Sequence, residues 1–253
     1  MSENAIDRAS ALRALFRPSS VAVVGASADP SKTGGRPVNY LVKHGFTGRI
    51  YPINPKVEQI SGLKCYASVE DLPEAPDAAI VLLGAERAHV AVRQLAERGT
   101  KLAIVLASGF SEAGDAGRAR QEELRRAAGA MRILGPNTIG AMDLAENIVL
   151  SASGALEVED LPVGGISVAS QSGGILGALL SRGAARGIGF SKLASTGNEV
   201  DIDLADLIEH YAEDSETQVI AAYIEGIRSV EKFRAAAEKA RGAGKPLVVF
   251  KVG

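Results

Sequence analysis

Ile166-Ser167-Val168-Ala169-Ser170-Gln171-Ser172-Gly173-Gly174 is a short apolar run that breaks into two serines and two glycines. Apolar residues at helical spacing (Ile175, Leu176, Leu179, Leu180) follow at once. The pattern is strand, tight loop, helix. Such a loop aims backbone N–H groups, hydroxyls and the positive end of a helix dipole at one point, which suits an anion, phosphate above all. An ordinary βα turn with a serine cap has the same local signature. What separates the two readings is how much of the chain converges on that place.

Outward from this stretch, short β-rich runs alternate with helical patterns along the whole chain, the mark of an α/β fold with parallel sheets covered by helices. Strands are expected at 21–24, 49–53, 77–83, 102–106 and 132–134, with helices at 37–44, 85–98 and 117–128 between them. Pro37 suits a first helical turn and Gly45 the position just past a helix end. Residues 141–161 have weak periodicity and mixed polarity, and are read as a crossing between two domains. A second set follows: strands at 165–169, 192–195, 219–224 and 247–251, and helices from the serine loop to about 186, at 202–211 and at 230–241. The sequence stops just after a strand, so the second domain reads as incomplete.

The 253 residues suffice for one large or two medium domains. No apolar run approaches the ~18 residues of a membrane span. Residues 1–17 carry charges among their leucines and read as an amphipathic lead-in helix rather than a signal peptide. A net charge of −2 gives no reason to expect nucleic acid or an anionic membrane as partner. A cytoplasmic protein is expected. The single Cys65 excludes an intrachain disulfide and reads as a quiet, partly buried thiol. Three scattered histidines offer no metal cluster. Asp201, Asp203 and Asp206 open a helix, where carboxylates favour the dipole without any metal.

Gly25-Ala26-Ser27, after the first strand, invites a dinucleotide reading, but Ser27 and Pro30 stand where G-x-G-x-x-G needs glycine. The acid expected after the second strand is replaced by Asn54-Pro55-Lys56. A neutral residue beside a lysine suits a ligand with extra phosphate. Lys32 and Arg36 flank Gly34 and Gly35, so two cations and glycine backbone could take a pyrophosphate and a further phosphate. Coenzyme A has that charge pattern. The alternative for both cations is a solvated loop.

Val23-Val24-Gly25-Ala26-Ser27, Tyr51-Pro52-Ile53-Asn54-Pro55-Lys56, Ser108-Gly109-Phe110-Ser111-Glu112, Leu134-Gly135-Pro136-Asn137, Ser170-Gln171-Ser172-Gly173, Thr196-Gly197-Asn198-Glu199 and Tyr223-Ile224-Glu225-Gly226 occur in this order. The series, spanning about residues 15–253, resembles the alpha part of NDP-forming acyl-CoA synthetases, relatives of the succinyl-CoA synthetase alpha subunit. The resemblance implies a Rossmann-like CoA-binding domain at 1–140, the crossing at 141–161, and a flavodoxin-like parallel α/β domain at 162–253. It implies a ligase joining a small carboxylic acid to CoA at the expense of ATP or GTP, through an acyl phosphate and a phosphorylated histidine. Nucleotide and Mg would enter through an ATP-grasp domain or beta subunit that this sequence does not contain.

By the same resemblance, Gly25, Ser27, Lys32, Gly34 and Arg36 would hold CoA phosphates, with Pro52, Asn54 and Lys56 beside the nucleotide. Ser108, Gly109 and Phe110 would line the pantetheine path. Ser170, Gln171, Ser172 and Gly173 would cradle the transferred phosphoryl group, with Asn198 and Glu199 shaping the pocket. Glu225 would be the catalytic carboxylate, orienting the histidine ring so that its other nitrogen is free to attack phosphorus. Read without the family, Glu225 is a solvated rim residue. The third strand departs from the pattern, ending Leu83-Gly84-Ala85 where a proline turn is expected.

The family's phosphohistidine would follow the strand at 247–251, beyond Gly253. His44 falls at a helix end, and His89 and His210 fall inside helical patterns. All three read as structural, so the chain alone is expected to bind CoA without completing the reaction. Two alternatives stand beside this reading: a non-catalytic CoA-sensing module, and a nicotinamide-dependent oxidoreductase.

Overall fold

The computed structural model describes residues 6–157 and 161–252. Residues 1–5 of the expected lead-in helix, 158–160 of the expected crossing, and Gly253 lie outside the described residues. In chain order the first elements are α1 (Arg8–Phe16), β1 (Ser20–Val24), α2 (Arg36–Lys43), β2 (Arg49–Ile53), β3 (Gln59–Ile60), β4 (Leu63–Lys64), β5 (Ala78–Val81), α3 (Ala85–Glu97), β6 (Leu102–Val105), α4 (Asp115–Ala128) and β7 (Arg132–Leu134). Then come β8 (Gly140–Asp143), β9 (Ile148–Ser151), β10 (Val163–Ser170), α5 (Gly173–Ala184), β11 (Phe190–Ser195), α6 (Leu204–Glu213), β12 (Val219–Ile224), α7 (Val230–Gly242) and β13 (Leu247–Lys251).

The first sheet is fully parallel, in the order β2-β1-β5-β6-β7. β1, β5 and β6 are buried along their whole length, as expected of parallel strands covered on both faces. The second sheet has the order β13-β12-β10-β11-β8-β9. It is parallel from β13 to β11, but β8 runs antiparallel to β11 and β9 antiparallel to β8. The second sheet is therefore mixed where a parallel one was expected, and the stretch read as a crossing supplies its hairpin edge. Both hairpin strands are buried at every position. Burial on both faces removes the alternation by which a half-exposed strand announces itself.

Local signals match the elements they were read from. Pro37 stands in the first turn of α2, His44 caps its end, and Gly45 follows at φ +73°, a left-handed conformation natural to glycine. Asp203 caps α6 and forms a capping box with Asp206. Asp201 instead holds Arg132, with its Oδ2 accepting from Nε at 2.7 Å, while Lys232 bridges Asp203 and Asp206 at 2.8 and 2.7 Å. The acidic triplet is thus engaged in structural pairs.

The two sheets share one core. Ile80 and Ile104 on one face of the first sheet belong to the same buried cluster as Leu207 and Tyr211 of α6 and Ala194 of β11. Helix α1 joins this cluster through Leu12, Leu15 and Phe16. Beneath it Lys192, fully buried, sits 3.2 Å from Asp143 and 3.0 Å from Asp214. Because the core is continuous, the carboxyl edges of β6 and β7 meet the carboxyl edge of β11.

Candidate functional site at the facing carboxyl edges

The turn after β1 is built for close approach. Gly25 adopts φ +84°, and a Cβ there would lie 3.1 Å from Leu83 Cδ2. Its N–H and that of Ala26 both donate to Ile53 O, at 3.0 and 3.2 Å. Ser27 N–H donates to Gly34 O at 3.0 Å, closing the loop, and Ser27 Oγ accepts from Asp29 N–H at 3.2 Å. A Cβ on Gly35 would come within 2.0 Å of Asp29 O, so only glycine fits there. Asn54 Nδ2 donates to Ala26 O at 2.7 Å and its Oδ1 accepts from Lys56 N–H at 2.9 Å. Asn54 thus braces the glycine turn. A cleft of about 570 Å³ opens beside it, lined by Gly25, Asn54, Pro55, Lys56, Leu83 and Arg87.

The two cations of this loop differ. Lys32 is exposed, 3.6 Å from Asp29. Arg36 reaches the other domain: Nη2 lies 3.0 Å from Glu157 Oε1, Nη1 donates to Ala152 O at 3.4 Å, and Nε is shut from solvent with no partner. Pro52 is buried inside β2. Ser108 is exposed and Gly109 half-buried at φ +101°, while the Phe110 ring is wholly buried in the core. Of Phe110, the backbone is what the loop can present.

In the second domain, Ser170, Ser195 and Ile224 end neighbouring strands. Ser172 caps α5, its Oγ accepting from Ile175 N–H at 3.3 Å, and Ser170 Oγ donates to Ser172 O at 2.7 Å. The first amides of α5 have no intrahelical acceptor, which gives the loop its donors. Gln171 grips the next turn: Nε2 donates to Gly226 O at 2.7 Å, and Oε1 accepts from the N–H groups of Glu225 and Gly226 at 2.6 and 2.9 Å. Glu225 is exposed at the end of β12. Glu199 is buried at φ +54°, and burial raises its carboxyl although Thr196 and Leu204 donate to it at 2.9 and 3.0 Å. Arg228 Nη2 donates to Asn198 O at 2.6 Å, tying the loops after β11 and β12.

The structure therefore brings together Gln171, Asn198 and Glu225 on one rim, joined by Arg228. It also places the Ser108–Phe110 loop against Asn198. Lys32 belongs to the glycine turn, its O accepting from Gly35 N–H at 2.9 Å while its side chain stands in solvent, and Pro52 is enclosed in β2. Three contributors were missed: Glu112 and Gln121, which touch Asn198, and Arg228. Glu112 lay within a quoted motif. Arg228 carries no spacing that distinguishes it from a surface charge.

The histidines face elsewhere. His210 lies in the last turn of α6, its ring 5.2 Å from that of Phe16 and nearly parallel to it. His89 is 3.4 Å from Glu123, and His44 ends α2.

This architecture, a parallel sheet with a glycine turn after its first strand joined to a second α/β sheet with serine and glycine loops at the shared edge, has direct counterparts. Residues 19–143 match the CoA binding domain family, and residues 163–253 match the succinyl-CoA ligase like flavodoxin domain family. The chain thus carries these two domains in this order and is similar to the alpha part of the NDP-forming acyl-CoA synthetases. It is 39% identical over 243 residues to a trans-feruloyl-CoA synthase from an unknown prokaryotic organism, covering 94% of this chain and 34% of that protein. To the alpha subunit of ADP-forming acetate–CoA ligase I of Pyrococcus furiosus it is 34% identical over 248 residues, 96% of this chain and 53% of the subunit. The dinucleotide-forming acetyl-coenzyme A synthetase 1 of Ca. Korarchaeum cryptofilum, solved with phosphate and ADP, superposes with a TM-score of 0.89 at 36% identity, covering 96% of this chain and 52% of that one. The chain thus spans about a third to a half of the length of these relatives. No helix among the described residues is long and apolar enough to cross a membrane.

Proposed function

We propose that this chain is the CoA-binding and phosphate-holding portion of an acid–thiol ligase that converts a small carboxylic acid, CoA and ATP into acyl-CoA, ADP and phosphate. The observation that carries the reading is the meeting of two differently built anion seats at the facing sheet edges. The first is the glycine turn after β1, with its cleft and the unassigned Nε donor of Arg36. Gly25 and Gly35 let that turn close on itself, since a Cβ would meet Leu83 Cδ2 at 3.1 Å and Asp29 O at 2.0 Å. Gly25, Ser27, Gly34, Lys32 and Arg36 would hold the CoA phosphates, with Asn54 and Lys56 beside the nucleotide. The Ser108–Phe110 backbone would guide the pantetheine arm. CoA supplies the thiol that ends in the product thioester.

The second seat is the start of α5. The Ser172 hydroxyl and the Gly173 amide offer donors, Ser170 shapes the loop by donating to Ser172 O, and the helix dipole lowers the energy of a negative group without reorganisation. Glu225 stands on the neighbouring turn, where Gln171 fixes the backbone that carries it. There a carboxylate can accept the N–H of an imidazole and leave its other nitrogen unprotonated. Asn198 closes the third side. Nucleotide and Mg would belong to an ATP-grasp domain or beta subunit acting with this portion, and a cytoplasmic location suits such an enzyme.

Calorimetric titration with CoA tests the reading, with micromolar or tighter binding expected. Acid-dependent ADP release on combination with an ATP-grasp partner is the second expectation, lost on Glu225→Gln with CoA binding retained. CoA binding without any restorable turnover would favour a sensing module, and no CoA binding would remove the proposal.

A further inference from the structure

The loop after β6 and the loop after β11 belong to different domains, and one carboxylate touches both, beside Gln121, whose Oε1 accepts from Ser111 N–H at 3.3 Å and from Asn198 Nδ2 at 3.0 Å. Glu112 Oε1 accepts from Gly109 N–H at 2.5 Å and from Phe110 N–H at 3.2 Å. Its other oxygen, Oε2, accepts from Asn198 Nδ2 at 2.5 Å. The two oxygens are thus divided, one to each domain. Burial pushes this carboxyl up, but the hydrogen bonds from Asn198, Gly109 and Phe110 outweigh it and hold the group below the usual carboxylate range. The partners are fixed in turn. Asn198 Nδ2 also donates to Gln121 Oε1 at 3.0 Å, and Asn198 Oδ1 accepts from Asn137 Nδ2 at 3.3 Å. Arg120 Nη1 donates to Gly109 O at 3.0 Å.

Gly109 holds φ +101°, outside sheet or helix geometry, so its conformation depends on such side-chain bonds rather than on a ladder. The loop that carries Asn198, where Gly197 sits at φ +56° and Glu199 at +54°, is also irregular, with Asn198 N–H donating to Pro136 O at 2.9 Å and Thr196 N–H to Ser170 O at 2.8 Å. Neither loop is held by regular structure, and each would line one ligand seat. Ordering one of them therefore lowers the cost of ordering the other, provided something rigid connects them.

We infer that Glu112 is a positioning residue that couples the two seats: by bridging the Gly109–Phe110 backbone to Asn198, it makes occupancy of the CoA seat tighten the phosphate seat, and the reverse. This rests on the functional reading above. Coupling of this kind is reciprocal and amounts to roughly 5–150-fold in affinity.

Titration of the chain with CoA, with and without saturating inorganic phosphate, reads the coupling directly. The wild-type chain should bind CoA at least about fivefold tighter with phosphate present. Glu112→Gln keeps an acceptor for Gly109 and Phe110 but sets an amide nitrogen against the Asn198 amide, so the ratio should fall towards one, more than either single affinity changes. A wild-type ratio of one, or an undiminished ratio in Glu112→Gln, overturns the inference. Hydrogen exchange without ligand separates the clamp from the functional reading. Glu112→Ala should speed exchange in both loops, and Glu112→Gln chiefly at 196–199. A merely structural glutamate would give the same pattern in both variants, and that result also overturns it. If wild-type protein binds no CoA, the functional reading and the ligand coupling both fall, and the exchange pattern still upholds or overturns the clamp itself.

Discussion

Gln171 holds the backbone of Glu225: its Oε1 accepts from the Glu225 N–H at 2.6 Å, across a gap between neighbouring strand ends. The side chain named in the sequence as a phosphate ligand thus has a prior engagement with the catalytic candidate. Replacing it with leucine removes three hydrogen bonds at a half-exposed position, where water partly substitutes. Gln171→Leu should cost about 1 kcal/mol locally and speed exchange of the Glu225 and Gly226 amides roughly fivefold or more. Unchanged exchange at those amides would show that the turn is held by something else.

Lys32 and Arg36 should separate in a pair of alanine variants. Each should weaken CoA binding by roughly 1–3 kcal/mol, as for a lost charged hydrogen bond. Lys32 is exposed, so its removal should leave the melting temperature alone. Arg36 also holds Glu157 and Ala152 O, and its loss should lower melting as well. Calorimetry and thermal melts on the two variants check this; equal melting with unequal binding would contradict the assignment for Arg36.

Adjacent glycines of the serine loop should respond differently to alanine. A Cβ on Gly173 would lie 2.6 Å from Ile139 Cγ2, whereas on Gly174 the nearest atom is Ser172 Oγ at 3.9 Å. Gly173→Ala should destabilise the protein by about 1–3 kcal/mol through overpacking, relieved by Ile139→Ala. Gly174→Ala should fold normally. Denaturant titrations of the three proteins decide the point, and equal stability of both single variants would count against the close contact.

Burial holds the His210 imidazole far below its usual value of 6.5, at about 4. Asp214 and Glu213 pull it up, and Lys192 and Arg17 push it down, by lesser amounts. Between these two values the unfolded chain takes a proton that the folded chain refuses. Stability from this residue is therefore intact above pH 6.5, declines as pH falls, and levels off below about 4, a loss on the order of 3 kcal/mol. Denaturant unfolding of wild type and His210→Gln across that window should give a shallower slope for the variant. Parallel slopes would show the ring to be protonated in the fold.

Much of this could be read in the linear chain because the signals are local. The parallel strands were marked by short apolar runs, α2 by Pro37 and Gly45, and α6 by its acidic opening. The hairpin of β8 and β9 was hidden for the opposite reason, since burial on both faces erases periodicity. At the site, Ser170 to Gly173 and Glu225 were nameable because each follows its strand directly. Their mutual arrangement was not, and the Phe110 ring turned out to belong to the core.

Residue order alone determined the alternation of strand and helix and the chemistry available at each strand end, since those depend on neighbours a few positions away. Which strand ends face each other was decided only by the shared core of the two sheets. That packing turned Arg36 towards Glu157, set Asn198 against Glu112, and left Lys32 in solvent, because contacts between residues more than a hundred positions apart, such as Arg36 and Ala152, follow from how buried surfaces fit and not from spacing.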